Sequence, residues 1–435
     1  MTYAEAIQFL CDLSLFGAEF GLTNTRRLAA LAGNPQNQLR FIHVAGTNGK
    51  GSTCAMLESI YRAAGLRVGL FTSPHLVSFR ERMQVNRQLL GETDVVRLVR
   101  EMRPWLATFP AEHHPTFFEV VTVMGLRHFV EQKCDLVIWE TGLGGRLDAT
   151  NIVTPLASVI TNIQYDHQQW LGHTLGQIAV EKAGIIKPGV PVLTAANEPE
   201  ALAVIEATAK RLKASLTRVA PEHVTCNKQP ASLPLLGAHQ QLNAALAIAT
   251  VGVLQDKIPL GQAAIDEGLN TVKWPGRLQL VTQPDGRKLL LDAAHNPAGA
   301  DILATALKEY LPSERRTLII GILRDKDWPA MCARLAPLAA RIAAVAVGSE
   351  RTATAAELAS ACRAANPTAE VFECASFAEA ASKTAGDTFV VITGSLYLIG
   401  EALEWLGLTP EVGASERALN EWGGTKHDPV NAPTR

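Results

Sequence analysis

The sequence predicts a mostly parallel α/β protein, with a P-loop-type nucleotide-binding domain followed by a smaller α/β domain. Short apolar runs alternate with helical patterns along its 435 residues. Residues 40–51, RFIHVAGTNGKG, nearly spell a phosphate-binding loop between a strand and a helix. A second series of apolar runs then restarts after the turn Trp274-Pro275-Gly276.

In the first series, strands are expected over 41–45, 68–71, 136–140, 157–161 and 192–195. Helices are expected over 117–132, 174–183, 199–213 and 240–254, each carrying apolar residues at helical spacing. The second series places strands over 278–281, 288–292, 317–322, 340–347 and 389–392, with helices over 299–310 and 354–365. The domains are therefore expected at 1–274 and 275–435, with a ligand cleft between them. The polar stretch from about residue 413 onward, with Pro429 and Pro433, is expected to fray.

A hydrophobic fraction of 47% and a charged fraction of 19% describe well-buried cores, and the length exceeds what one core supports. A net charge of −2 gives no reason to expect nucleic acid or an anionic membrane as partner. Cys11, Cys54, Cys134, Cys226, Cys332, Cys362 and Cys374 are scattered, odd in number and form no C-x-x-C pair, as in a reducing cytoplasm. The start, MTYAEAIQFLCDL, reads as an amphipathic helix bearing Glu5 and not as a signal peptide. No apolar run reaches membrane-spanning length, and a cytoplasmic monomer is expected.

In the loop Gly46-Thr47-Asn48-Gly49-Lys50, glycines let the backbone wrap phosphates and Lys50 neutralises their charge. The match to a standard phosphate loop is incomplete. Val44 stands where the first Gly belongs, and Gly51 where a Ser or Thr would offer its hydroxyl to Mg²⁺. A metal must then find ligands elsewhere, with help from Ser52.

Several polar clusters follow strands, where ligands of open α/β sheets bind. TSPHLVSFRERMQVN (72–86) reads either as placing Ser73 near the loop as a replacement hydroxyl or as an ordinary polar loop. CDLVIWETGLGGRLDATN (134–151) ends a buried strand in Glu140, which reads as a metal-holding acid with a purely structural carboxylate as the alternative, and then projects Arg146 and Asp148 toward the ligand. Asp166 and His167 follow the next strand; His167 reads either as a metal ligand or as a solvated or capping residue. Lys182 closes the helix before Gly184, where it either serves the site or favours the helix dipole, and Gly184 reads as the cap. The second domain repeats the pattern in LLLDAAHNP (289–297), with Asp292, His295 and Asn296, and in ITGSLYLIG (392–400).

GTNGKGS (46–52), SPHL…ERMQVN (73–86), ETGLGGRLDATN (140–151), DH…WLG (166–172), EKAGI (181–185), PGR (275–277) and DAAHNP (292–297) stand in that order. Together they resemble the folylpolyglutamate synthase/dihydrofolate synthase family, the folate branch of the Mur ligases, over about residues 16 to 400. The resemblance implies that Thr47, Asn48, Gly49, Lys50, Gly51 and Ser52 hold ATP phosphates. Asn243, Arg277 and Asp292 would contact the nucleotide, and Ser73, Glu140 and His167 would hold Mg²⁺. It implies that Lys182 carries a carbamate bridging metal and substrate. Thr116, Phe118 and Arg146 would lie near the pterin, and His295 and Ser395 near the incoming glutamate. Lys50, Lys182 and His295 are the catalytic residues this reading gives.

The implied chemistry is ATP-driven amide formation through an acyl phosphate, yielding ADP, phosphate and a glutamylated folate. Domain closure would bring Asp292 and His295 against the acyl phosphate and exclude water. The motifs serve dihydropteroate and reduced folates alike as acceptors of L-glutamate. The alternatives are a related Mur-type ligase joining a different amino acid to a different carboxylate, and a nucleotide switch without ligase chemistry. Lys182, Asp292 and His295 argue against the switch, which needs none of them.

Overall fold

The computed structural model describes residues 1–14, 21–220, 233–311, 316–409 and 412–421. Cys226 lies outside them. Their backbone divides into two units: the described residues of Met1–Pro234, Gln241–Val272 and Ala414–Arg435 form the first, and those of Leu235–Gln240 and Lys273–Gly413 the second.

The first unit is built on an eight-stranded sheet. Its strands are β1 (Phe41–Ala45), β2 (Val68–Phe71), β3 (Met83–Val85), β4 (Gln88–Leu89), β5 (Leu136–Glu140), β6 (Ala157–Ile160), β7 (Val192–Thr194) and β8 (Leu216–Arg218). The order is β4-β3-β2-β5-β1-β6-β7-β8. All neighbours run parallel except β2–β3 and β3–β4. Strands buried on both faces need continuous apolar runs, and β1, β2, β5 and β6 are buried throughout. The chain moves to opposite sides of β1 on leaving for β2 and for β6, so the carboxyl edge beside β1 is the switch point where such sheets bind ligands.

Trp139 anchors one face of this sheet, fully buried, with Phe71 at 4.3 Å and Phe41 at 5.6 Å between ring centroids. Truncating a buried ring of this kind costs about 3–5 kcal/mol. Ala45, Ile160, Ile178, Ile185 and Ile205 form a second apolar cluster. Helix starts follow side-chain chemistry. Thr116 and Glu119 form a capping box at Phe117–Glu131, and Thr174 and Gln177 do the same at Leu175–Ala183. The helix Lys50–Ala63 packs tightly on Gln262–Thr271, where Gly268 sits against the Ile60 backbone with no room for a Cβ.

The second unit carries a six-stranded sheet of β9 (Gln279–Thr282), β10 (Lys288–Asp292), β11 (Thr317–Ile320), β12 (Arg341–Val345), β13 (Glu370–Cys374) and β14 (Phe389–Thr393). Its order is β13-β12-β11-β14-β10-β9, antiparallel only at β9. Leu290, Leu318, Ile320 and Val391 meet Leu303, Leu307, Met331 and Leu358 of the flanking helices in one core. Asn296 caps Pro297–Tyr310, and Ser395 caps Leu396–Trp405.

Most expected elements stand where the pattern predicts, with ends shifted by a few residues. β9 starts one residue late because Leu278 has a φ of 43° and donates its N–H to Asp292 Oδ2 at 2.9 Å. The short strands β3, β4 and β8, the strand β13 and the helix Glu92–Leu106, which contains Pro104, are not predicted by the pattern. The expectation of fraying fails over 413–421, and its remainder, 422–435, lies outside the described residues. Ala414–Ala418 is a helix, and Leu419 is buried in the first unit's core. No helix of the described residues is long and apolar enough to cross a membrane. Cys54, Cys134, Cys332, Cys362 and Cys374 are buried free thiols.

Candidate active site

β1 delivers the chain to residues 46–49, after which the helix Lys50–Ala63 opens with Gly49 at its N-cap. Gly46 and Gly49 have φ values of 149° and 86°. Space forbids side chains as firmly as conformation does. A Cβ on Gly46 would collide with Thr161 Oγ1, and one on Gly49 would stand 2.6 Å from Asn243 Oδ1. The residues after β6 tie the loop down. Thr47 N donates to the Asn162 carbonyl at 2.8 Å and Asn48 N to Asn162 Oδ1 at 2.7 Å. Thr161 Oγ1 donates to the Asn48 carbonyl at 2.7 Å. The Thr47 hydroxyl exchanges hydrogen bonds with the Gln164 backbone. Gly51 and the buried Ser52 lie in the first helical turn, whose N–H groups and dipole attract anions.

Lys50 Nζ donates to the carbonyls of Gly46 and Thr47 at 3.1 and 3.2 Å. Lys182, 4% exposed, reaches the same Gly46 carbonyl at 2.7 Å. Its ammonium therefore serves the loop and not the end of its own helix. Burial, and then the charge of Lys50, push the Lys182 pKa down to about 7 against the pull of Asp166 and Asp148. Such an amine is substantially neutral at physiological pH, the state in which an amine can add CO₂.

The register pairs Val44 with Glu140, so this buried carboxylate stands beside the root of the loop. Glu140 Oε2 accepts Ser73 N at 3.2 Å, which brings two of the three expected metal ligands together. The Ser73 hydroxyl is buried and has no hydrogen-bond partner within the protein. An orphaned hydroxyl beside a carboxylate is an all-oxygen donor pair of the kind Mg²⁺ takes. His167, with a φ of 50°, places Nε2 3.8 Å from Asp166 Oδ1. Among the described residues no three His, Cys, Asp or Glu side chains form a ready metal cluster.

One reading of residues 140–184 is corrected. Asp148 does not project toward ligand. It is buried and accepts Leu143 N at 2.7 Å, Thr150 N at 3.0 Å and the Thr150 hydroxyl. Burial still pushes its pKa up. Thr150 Oγ1 in turn lies 2.9 Å from Nε2 of buried His43, a chain of polar groups that the sequence pattern does not disclose. Gly184 is the C-cap of its helix, as expected, but with a right-handed φ of −63°; it is glycine because a Cβ would collide with Arg146. Arg146 is about half exposed and pairs with Glu181 at 2.8 Å.

Phe118 lies against Gly142, where a Cβ would stand 2.5 Å from its ring, and packs 6.2 Å from Phe71. The Thr116 hydroxyl is occupied by its capping box with Glu119.

In the second unit, β10 ends in Asp292, whose carboxylate accepts Leu278 N and Ala294 N at 2.9 and 3.0 Å. Burial raises its pKa, opposed chiefly by Arg277, whose Nη1 reaches the Ala293 carbonyl at 3.4 Å. His295 Nδ1 stands 2.8 Å from the same carbonyl, which only accepts, so in the neutral ring the proton is on Nδ1. Ser395 is buried and accepts Leu398 N at 3.1 Å as a helix cap.

The Mur ligase middle domain family matches residues 44–251, and the Mur ligase glutamate ligase domain family matches residues 276–396. A Bacillus subtilis dihydrofolate synthase/folylpolyglutamate synthase is 37% identical over 92% of this chain and 98% of its own length. The crystal structure of a Thermotoga maritima folylpolyglutamate synthase is similar with a TM-score of 0.83 at 33% identity, covering 95% of this chain and 99% of that one. An Escherichia coli FolC structure in complex with DHPP and ADP gives 0.82 at 31% identity over 94% of this chain and 98% of its own. With both Mur ligase domains in sequence, and Lys50 and Lys182 converging on the Gly46 carbonyl of the glycine loop, the chain belongs to the folylpolyglutamate synthase/dihydrofolate synthase family of Mur ligases.

Proposed function

We propose that this protein is an ATP-dependent ligase joining L-glutamate to the carboxylate of a pterin acid, either dihydropteroate or a reduced folate. The observation that carries the reading is the meeting of Lys50 and a buried Lys182 on the Gly46 carbonyl, at the mouth of a phosphate-type loop. A nucleotide switch has no use for a second, buried amine there.

The loop N–H groups and Lys50 bind and orient the ATP phosphates, while Gly49 leaves them room. A carboxylate oxygen of the pterin acid attacks the γ-phosphorus, the bond to the bridging oxygen breaks, and ADP leaves with that electron pair. The glutamate amine attacks the resulting acyl phosphate, and phosphate departs as the amide forms. His295 accepts the surplus amine proton on Nε2, because Nδ1 is held by Ala293. Lys50 offsets charge building on the transferring phosphoryl group, so positioning and electrostatics carry most of the rate. Ser73 and Glu140, with His167 and a carbamylated Lys182, would hold Mg²⁺, which when bound neutralises phosphate charge. Asn243, Arg277 and Asp292 bind the nucleotide, Phe118 with Thr116 and Arg146 borders the pterin, and Ser395 lies near the glutamate. We infer a cytoplasmic monomer.

Purified protein given ATP, glutamate and either dihydropteroate or tetrahydrofolate should release ADP and form a product heavier by one glutamyl unit. ADP release independent of glutamate and acceptor would overturn the reading in favour of a switch.

A further inference from the structure

The loop after β2, which presents Ser73, is covered on its outer side by residues 416–420. Glu416 is 5% exposed, and its carboxylate accepts Ser78 Oγ and Phe79 N, both at 2.9 Å. Its carbonyl receives His75 Nε2 at 3.0 Å. His75 Nδ1 therefore accepts, and its partner is Arg82 Nε at 2.9 Å. Arg82 also donates through Nη2 to Asn420 Oδ1 at 2.7 Å and to the Leu419 carbonyl at 3.4 Å. Asn420 closes the ring by donating Nδ2 to the His75 carbonyl at 2.9 Å. His75 and Arg82 are almost fully buried, and Leu419 is sealed into the core beneath them.

Buried polar groups depend on such partners, and losing one leaves the rest to rehydrate or move. His75 is two residues from Ser73, whose backbone meets Glu140. Arg82 lies 5.3 Å over the ring of Phe117, which sits between Thr116 and Phe118. One buried network thus touches both the loop with the orphaned Ser73 hydroxyl and the helix start that faces the pterin.

Resting on the ligase reading above, we propose that residues 416–420 brace the Ser73 loop from behind, with Glu416 and Asn420 as positioning residues for the metal and pterin sides of the site. Neither residue touches a reactant; both act through His75, Ser78 and Arg82.

Glu416→Ala and Asn420→Ala in the full chain test this, with Val99→Ala as a core control that lowers thermal stability and removes no hydrogen bond of the network. The bracing variants should raise the Mg²⁺ concentration for half-maximal activity and the acceptor KM several-fold. Val99→Ala should leave both unchanged at a comparable loss of Tm. Glu416→Gln keeps an acceptor oxygen and should fall between wild type and Glu416→Ala. Hydrogen exchange over residues 72–86 should rise in Glu416→Ala and Asn420→Ala and not in the control. Unchanged exchange, or activity parameters that move no further than in Val99→Ala, overturns the brace. An inactive wild type overturns the ligase reading instead, and exchange still decides the brace. If Glu416→Ala fails to fold, Asn420→Ala and Glu416→Gln carry the test.

Discussion

Lys50 and Lys182 point their ammonium groups at one acceptor, the carbonyl of Gly46, from 3.1 and 2.7 Å. Burial first, and then the like charge of Lys50, push the pKa of the more buried partner, Lys182, down to about 7. The proposed carbamylation would remove the conflict by turning one cation into an anion. The arrangement supports the modification through electrostatics as well as through resemblance.

Lys182→Ala should fold normally and be nearly inactive, and Lys182→Arg should be inactive as well because a guanidinium cannot add CO₂. Depleting CO₂ should reduce wild-type activity and bicarbonate should restore it. Restoration should be faster above pH 7 than below it, since protonation blocks the amine as pH falls through its value of about 7. Full activity in Lys182→Arg would leave Lys182 as a structural residue.

Gly33 and Gly49 separate backbone strain from site occupancy. Both have positive φ, 82° and 86°, but a Cβ on Gly33 meets nothing within 4 Å whereas one on Gly49 meets Asn243. Alanine in this conformation costs about 1–2 kcal/mol. Gly33→Ala should therefore lower Tm and leave kinetics alone. Gly49→Ala should raise the KM for ATP at least tenfold, and equal ATP KM values in the two variants would remove Gly49 from the nucleotide site.

His43 predicts a pH dependence of stability. Burial pushes its pKa from 6.5 down to about 3, so the folded ring stays neutral where the unfolded ring takes a proton. Its contribution is complete above the unfolded value and is lost as pH falls from 6.5 toward 3, at up to about 1.4 kcal/mol per pH unit. His43→Gln retains an N–H for Thr150 without titrating and should flatten the fall of Tm with acid. A slope equal to wild type would refute this assignment.

The phosphate loop is legible in the sequence because its chemistry is local: glycines, a lysine and a helix start within a few residues. The Ser73–Glu140 contact is legible at one remove, since both follow strands and parallel strands share a carboxyl edge. His43 and Thr150 are 107 positions apart, and His75 and Glu416 are 341 apart. No spacing rule joins them; they meet only because the sheet order brings their elements together. Asp148 misleads for the same reason, as an acid in a glycine loop reads as ligand-facing until its buried donors are seen. Residues 414–420 read as frayed because polar composition is ordinarily solvated, yet here the polar atoms meet buried Arg82 and His75.

Ser73→Ala gives the sharpest test of the metal side, because structure and function pull in opposite directions. The hydroxyl is buried without a protein partner, so it contributes desolvation cost and no compensating hydrogen bond. An unsatisfied buried group costs about 1–3 kcal/mol, and removing it leaves stability equal or higher. The Ser73 N–H bond to Glu140 survives the substitution, so the loop should keep its place. If the hydroxyl is a metal ligand, the variant should nevertheless need more Mg²⁺ for half-maximal activity, and Glu140→Gln should need more still. Thermal unfolding without Mg²⁺ and activity titrated against Mg²⁺ are the two measurements. A Tm that falls would mean the hydroxyl has a structural partner, and an unchanged Mg²⁺ titration would remove Ser73 from the metal site.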